Sequence, residues 1–369
     1  MKRVIDSTLR EGEQAPGVCF RLADRLSLVG LLAEAGVDEI EIGVGAGDSD
    51  VAALVAAARK SAPGVPLAVW CRALPEHIEA AASLRADLVA MSLPVSDAHL
   101  EQRYGRDRWW LMHQIRVATD WARAAGCPRA ALGLEDVTRA DPEFLRGVLR
   151  ACADVGLDRV RLADTLGLAS PAEFARLVSL ARESFPGEIA VHCHNDYGLA
   201  SANAIAGLEA GADLADSTVL GIGERGGVAA TEQLIAWLAL RRGIPGFKPT
   251  ALAPLCSRVA RMLGRPIPDQ QPVVGKRIFA VESGLRETDS YEPFGPNTVG
   301  RQRRILLGKH AGRSAVAQRL RLLGLSDERA ADLAKSVREA ARSLGRPITD
   351  QELQAIFDRD AAAATQRPV

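Results

Sequence analysis

The sequence predicts a (β/α)8 barrel followed by a small, mostly helical C-terminal domain, and three observations predict it. Short strand-like runs alternate with longer helical stretches through the first 240 residues, and there are eight such runs. Two of the intervening helices open on a capping residue followed by proline, Asp141-Pro142 and Ser170-Pro171, the arrangement expected at a helix start. The alternation stops at the Gly/Pro-rich stretch RRGIPGFKPT (241–250). We therefore read 1–242 as the barrel and 243–369 as linker and C-terminal domain.

Taken in order, the strands are VIDS (4–7), EIEIG (39–43), LAVWC (67–71), LVAMSL (88–93), AALGLE (130–135), RVRLAD (159–164), IAVHCH (189–194) and DLADST (213–218). Helices are expected at 21–36, 107–125, 141–155, 171–185 and 198–210. Eight alternating units match a closed parallel barrel. An open doubly wound sheet is the alternative, but no GxGxxG follows an early strand. Beyond the linker, helices are expected at 250–264, 312–323, 326–344 and 349–359. An irregular stretch is expected at 265–308, and a frayed end at AAAATQRPV (361–369).

Composition narrows the function. With 46 basic and 46 acidic residues the formal charge is zero, which speaks against nucleic acid and anionic membranes as partners. Aromatic residues are 4% of the chain, too few for a stacking platform. The N-terminus MKRVIDSTLREG has no apolar signal core, and no run is long enough to span a bilayer. Six cysteines without a CxxC pair suggest neither a disulfide framework nor a zinc ribbon, so a reducing, cytoplasmic setting is expected.

The chemistry gathers at the predicted strand ends, where barrel active sites form. In HCHND (192–196), His192 and His194 are two apart and project to one side of the seventh strand, a half-site for a divalent ion. DSTLREGEQ (6–14) follows the first strand, a near neighbour of the seventh in a closed barrel, and Glu11 can complete the set. A solvated, capping loop would explain its charge equally well, but not an arginine and a glutamate side by side at a barrel mouth. LADTLG (162–167) brings Thr165 to the same mouth, either as a substrate-binding hydroxyl or as part of a turn before the next helix. GIGERGG (221–227) offers glycines for close backbone approach to a ligand, and the cation Arg225.

Together DSTLREGEQ, HCHNDYGLASAN, GIGERGG and LGKHAGR resemble the 2-isopropylmalate synthase and homocitrate synthase family of acetyl-CoA-dependent Claisen-condensing enzymes, from about Val4 to Arg313. WCRA (70–73), PVSDAHL (94–100), LEDVTRADP (134–142) and LADTLG look most like the homocitrate synthase of nitrogen fixation. The resemblance implies one divalent metal ion (Mg, Mn or Zn) on Glu11, His192 and His194, and Arg10 on the developing oxyanion. It implies substrate contacts from Gln14, Arg72, Thr165 and Asn195, and acetyl-CoA near Gly221, Gly223, Glu224 and Arg225. It also implies a homodimer.

The chain departs from the family pattern in three places. It has Glu11 and Val228 where many members have aspartate and asparagine. The strand-five arginine that holds the 2-oxoglutarate side chain in lysine-pathway relatives is replaced by Ala131. Val281 and Arg286 stand where linker histidines take part in acid–base chemistry, so Glu282, Tyr291, Glu135 and His310 become the acid–base candidates. The resemblance implies condensation of acetyl-CoA with a 2-oxo acid, 2-oxoglutarate giving homocitrate first among them, with thioester hydrolysis. The alternatives are another 2-oxo acid, a lyase like hydroxymethylglutaryl-CoA lyase, or a non-catalytic metal-binding relative.

Overall fold

The computed structural model describes residues 1–282 and 292–365. Eight parallel strands close into a barrel: β1 (Arg3–Asp6), β2 (Glu39–Val44), β3 (Leu67–Arg72), β4 (Leu88–Pro94), β5 (Ala130–Glu135), β6 (Arg159–Asp164), β7 (Glu188–Cys193) and β8 (Leu214–Ser217). Closure is made where β1 pairs with both β2 and β8. All eight predicted strands are present, each within a few residues of its sequence boundary.

The return segments carry α1 (Leu22–Ala35), α2 (Val51–Ser61), α3 (Pro75–Ser83), α4 (Arg108–Ala124), α5 (Pro142–Asp154), α6 (Pro171–Ser184), α7 (Ala200–Ala210) and α8 (Thr231–Ala236). The two proline starts hold as read. Asp141 accepts from Phe144 N, and Ser170 with Glu173 forms a reciprocal capping box, so exposed backbone donors at each helix start are satisfied.

Parity along the strands decides what fills the barrel. Ile40, Ile42, Val89 and Met91 face the helices, and the alternate positions face in. On the β3–β5 side these inward residues are Ala68, Leu88, Ala90 and Ala131, with Trp70 packed on them. On the opposite side the inward residues are ionic. Arg159 of β6 holds Glu39 of β2 by two bonds of 2.7 and 2.8 Å, and Arg161 holds Glu41 at 2.7 Å.

The chain divides into two compact units, Met1–Pro266 and Ile267–Val369, so 243–266 packs with the barrel rather than with the C-terminal part. Its helix α9 (Leu252–Met262) buries Leu252, Leu255, Cys256 and Val259, and Arg258 reaches Asp24 of α1 at 2.9 Å. The C-terminal unit contains α10 (Arg313–Leu322), α11 (Ala330–Leu344) and α12 (Asp350–Thr365), packed around Val316, Leu320, Leu333, Val337 and Leu353. Helix α12 runs to Thr365, so the first part of AAAATQRPV is helical rather than frayed. No helix among the described residues is long and apolar enough to cross a membrane.

Candidate metal centre and its cavity

β7 ends at Cys193, and His194 continues its direction through a bridge to Val228 in the loop after β8. His192 and His194 therefore share the inward side, with ring centroids 5.1 Å apart. Cys193 points the other way into the wall, where burial pushes its thiol well above the usual range. After β1 the chain turns at once. Gly12 N and Arg10 N donate to Ser7 O, and this tight turn presents Glu11 to the two histidines. Ligand atoms of Glu11, His192 and His194 all lie within 4.8 Å of one another, and all three residues are buried.

The electrostatics suit a cation. His192 Nδ1 faces Asp216 Oδ2 at 2.9 Å, a contact that orients the ring with Nε2 toward Glu11. Burial, with His192 beside it, holds the His194 imidazole down at about 3, so it is neutral at any ordinary pH. Its buried Nδ1 has no hydrogen-bond partner among the described residues. Burial alone would raise the Glu11 carboxyl, but Arg10 and the two histidines hold it below its ordinary value. Two imidazoles, one carboxylate and an orphaned buried nitrogen fit a divalent ion.

Beneath the site runs a buried ionic ladder that the sequence reading missed. Arg10 Nε donates to Glu41 Oε2 at 2.6 Å, and its Nη1 donates to Glu11. Glu41, fully buried, also accepts from Ser7 Oγ (2.6 Å) and Arg161 Nη1. Burial would push Glu41 up, but Arg10 and Arg161 outweigh it and hold the carboxyl well below the usual range. Arg161 Nε reaches Asp216 Oδ2 at 3.0 Å, which closes a chain from Arg10 to His192. The available signal was the pair of charges two apart on each strand, Glu39 and Glu41 in EIEIG and Arg159 and Arg161 in RVRLAD, which marks an ionic inner face.

A cavity of about 640 Å³ opens over this centre. Arg10, Glu11, Gln14, Arg72, Glu135, Thr165, His192, His194 and Glu224 all border it. Burial pushes the Glu135 carboxyl up, against the pull of Arg103 at 3.2 Å. Thr165 Oγ1 accepts from Asp136 N at 2.9 Å, so its hydroxyl also ties two loops together.

Other predicted residues lie elsewhere. Asn195 does not border the cavity, because its Oδ1 accepts from Ala200 N at the start of α7. Arg225 pairs with Asp196 (3.0 Å) and donates to Thr165 O (2.6 Å), clamping three loops. The glycines of GIGERGG serve protein packing. A Cβ at Gly223 would lie 3.1 Å from Glu11 Oε1, and one at Gly227 would collide with Gly221 O at 1.9 Å. The loop's glycines thus allow close approach to Glu11 and within the loop itself.

Glu282 and His310 belong to the C-terminal unit. The Glu282 carboxylate packs against Gly308, and His310 is exposed in the turn before α10, whose cap is Gly312. Tyr291 and Arg286 lie outside the described residues.

Comparison with known proteins gives this site its context. Residues 2–257 match the HMGL-like family model. The chain belongs to that family. Residues 273–343 match a second model, the homocitrate synthase post-HMGL domain-like family. Homocitrate synthase of Frankia alni is 39% identical over 86% of this chain and 93% of its own length. 2-Isopropylmalate synthase 2 of Caldanaerobacter subterraneus subsp. tengcongensis is 34% identical over 96% and 94% respectively. Hydroxymethylglutaryl-CoA lyase of Pseudomonas aeruginosa superposes with a TM-score of 0.65 at 26% identity, covering 72% of this chain and 94% of that one.

Proposed function

We propose that this acetyl-CoA-condensing acyltransferase joins acetyl-CoA to a 2-oxo acid, with 2-oxoglutarate, giving homocitrate, as the leading substrate. The observation that carries the reading is the buried Glu11, His192 and His194 set with the Arg10 guanidinium against it, on the floor of an open cavity. The relatives that bear the names homocitrate synthase and 2-isopropylmalate synthase support the reaction class.

When bound by Glu11, His192 and His194, the divalent ion supplies Lewis acidity to the carboxylate and keto oxygen of the 2-oxo acid. The rest falls to the side chains. Arg10 has Nε on Glu41 and Nη1 on Glu11, while its Nη2 makes no hydrogen bond among the described residues. That open donor faces the growing alkoxide, pre-aimed by the ladder below it, and stabilises charge without reorganising. Glu135 takes the methyl proton of acetyl-CoA, a role supported by its place in the cavity wall and its raised carboxyl. Attack of the resulting enolate forms the carbon–carbon bond, and water hydrolyses the thioester to release free CoA.

The test is thiol release from acetyl-CoA against a panel of 2-oxo acids, with the protein stripped of metal and then reloaded. Release that requires both one oxo acid and the metal supports the reading. Cleavage of a hydroxyacyl-CoA without condensation would support the lyase reading instead, which the likeness to hydroxymethylglutaryl-CoA lyase keeps in play.

A further inference from the structure

The cavity has two chemically different ends. One end is the metal centre. The other lies on the β3–β4 side, where three arginines border the same space: Arg72 at the end of β3, and Arg103 and Arg106 from the loop after β4. Between the two ends lies Trp70. Its indole packs on Ala68, Leu88, Ala90 and Ala131, donates from Nε1 to Ser92 Oγ at 2.9 Å, and carries the Arg10 guanidinium 5.9 Å above its ring.

β5 can supply no anion contact on this side. Its inward residues below Glu135 are Ala131 and Gly133, and a Cβ at Gly133 would already sit 2.7 Å from Ser92 Oγ. Trp70 seals the floor in their place. Any anionic group held here must bind above the indole, in the layer that Arg72 occupies.

Among the three arginines, Arg72 is the uncommitted one. Arg103 pairs with Glu135 at 3.2 Å, and Arg106 lies over the Trp110 ring at 5.7 Å. Arg72 is exposed to the cavity and has no ion-pair or hydrogen-bond partner among the described residues. Two residues along a strand advance about 6.6 Å on the same face. Arg72 therefore stands roughly one such step outward from Trp70, which itself adjoins Arg10. That is the reach of a short aliphatic spacer. The phosphates of CoA are separated from the acetyl group by the whole pantetheine arm and would fall well beyond it.

We propose that Arg72 is the specificity-determining residue for the oxo acid: it binds the distal anionic group of a dianionic 2-oxo acid whose oxo-acid head is at Glu11, His192 and His194. Trp70 sets the spacing between the two ends. The inference rests on the proposed condensing reaction and names the side chain that selects its substrate. Arg72 offers a planar fork to a carboxylate, so charge alone does not replace it.

The test is calorimetric binding of 2-oxoglutarate and of 2-oxobutyrate to the full-length, Mg2+-loaded protein, without acetyl-CoA, in wild type, Arg72→Met and Arg72→Lys. Steady-state KM for acetyl-CoA is measured alongside. Wild type should prefer the dianion, and Arg72→Met should weaken 2-oxoglutarate about 30- to 100-fold while 2-oxobutyrate changes less than about threefold. Arg72→Lys should recover part of the loss. A wild type with no preference overturns the assignment, and so does equal weakening of both acids. A rise in acetyl-CoA KM with unchanged oxo-acid binding assigns Arg72 to the CoA phosphates and overturns it too. If wild type discriminates the two acids through Arg72 yet releases no CoA with any oxo acid, the condensing reaction fails while the anion site stands.

Discussion

The two halves of the barrel interior are built on opposite plans. On the β1, β2, β6, β7 and β8 side, inward positions carry Ser7, Glu41, Arg161, His192 and Asp216, nearly all buried and bonded to one another. On the β3–β5 side they carry alanines, Leu88, Gly133 and one tryptophan, with Glu135 and arginines toward the rim. The first half holds Arg10 and His192 through mutual ion pairs and hydrogen bonds. The second presents cations that are partly solvated and stacked on aromatic rings, such as Arg106 over Trp110. A rigid half suits the bond-making step shared by a family, and an open half can change with the substrate.

The sharpest way to break this comparison is to cut the ladder. Glu41→Ala removes the acceptor shared by Arg10, Arg161 and Ser7 and leaves two buried guanidiniums short of a partner. Chemical denaturation should show a loss of about 3–5 kcal/mol. A loss under 1 kcal/mol would mean that the ladder is not under electrostatic tension.

Arg10→Lys keeps the charge but loses the fork that spans Glu41 and Glu11. Turnover should fall about 100-fold or more, roughly 3 kcal/mol, with metal affinity nearly unchanged. Near-normal turnover in CoA-release assays would remove Arg10 from the oxyanion.

Asp6 tests the same half by pH. Burial pushes its carboxyl up from 3.8 to about 6, against hydrogen bonds from Thr231 and Thr8. Folding therefore takes up a proton between those values. The contribution is fully present below about pH 4 and is lost as pH rises through 6, a swing of up to about 3 kcal/mol. In Asp6→Asn the fall in stability between pH 4 and 6 should be smaller than in wild type. Identical pH profiles of Tm would contradict the shift.

The smallest expected effect is on the open half. Arg72→Met should change stability by less than about 0.5 kcal/mol, because the side chain is exposed and unpaired among the described residues. A loss comparable to that of Glu41→Ala would erase the distinction between the halves.

Much of this was legible in the sequence for physical reasons. Strand–helix alternation gave eight βα units, and the two-residue spacing of His192 and His194 placed both on one face. Glu11 followed because closure makes β1 and β7 near neighbours. The charges at spacing two on β2 and β6 were visible, but their pairing was not, because Arg161 and Glu41 lie 120 residues apart and only the shear of the closed barrel decides that they meet. Asn195 and Arg225 were read as ligand contacts; the structure shows that they also cap and clamp the loops around the site, which the motif alone did not reveal. Motif residues that touch the ligand and those that hold the loop look alike in one dimension. The glycines of GIGERGG show the same ambiguity, since their room is taken by Glu11 and by the loop's own carbonyls.

The most direct test of the central claim is electron paramagnetic resonance of Mn2+ added to metal-stripped protein, with and without 2-oxoglutarate, in wild type and His194→Ala. The account predicts one bound ion per chain in wild type, a spectrum altered by the oxo acid, and an affinity at least about 100-fold weaker in the variant. Unchanged affinity in His194→Ala, or a wild-type spectrum indifferent to the oxo acid, would contradict it.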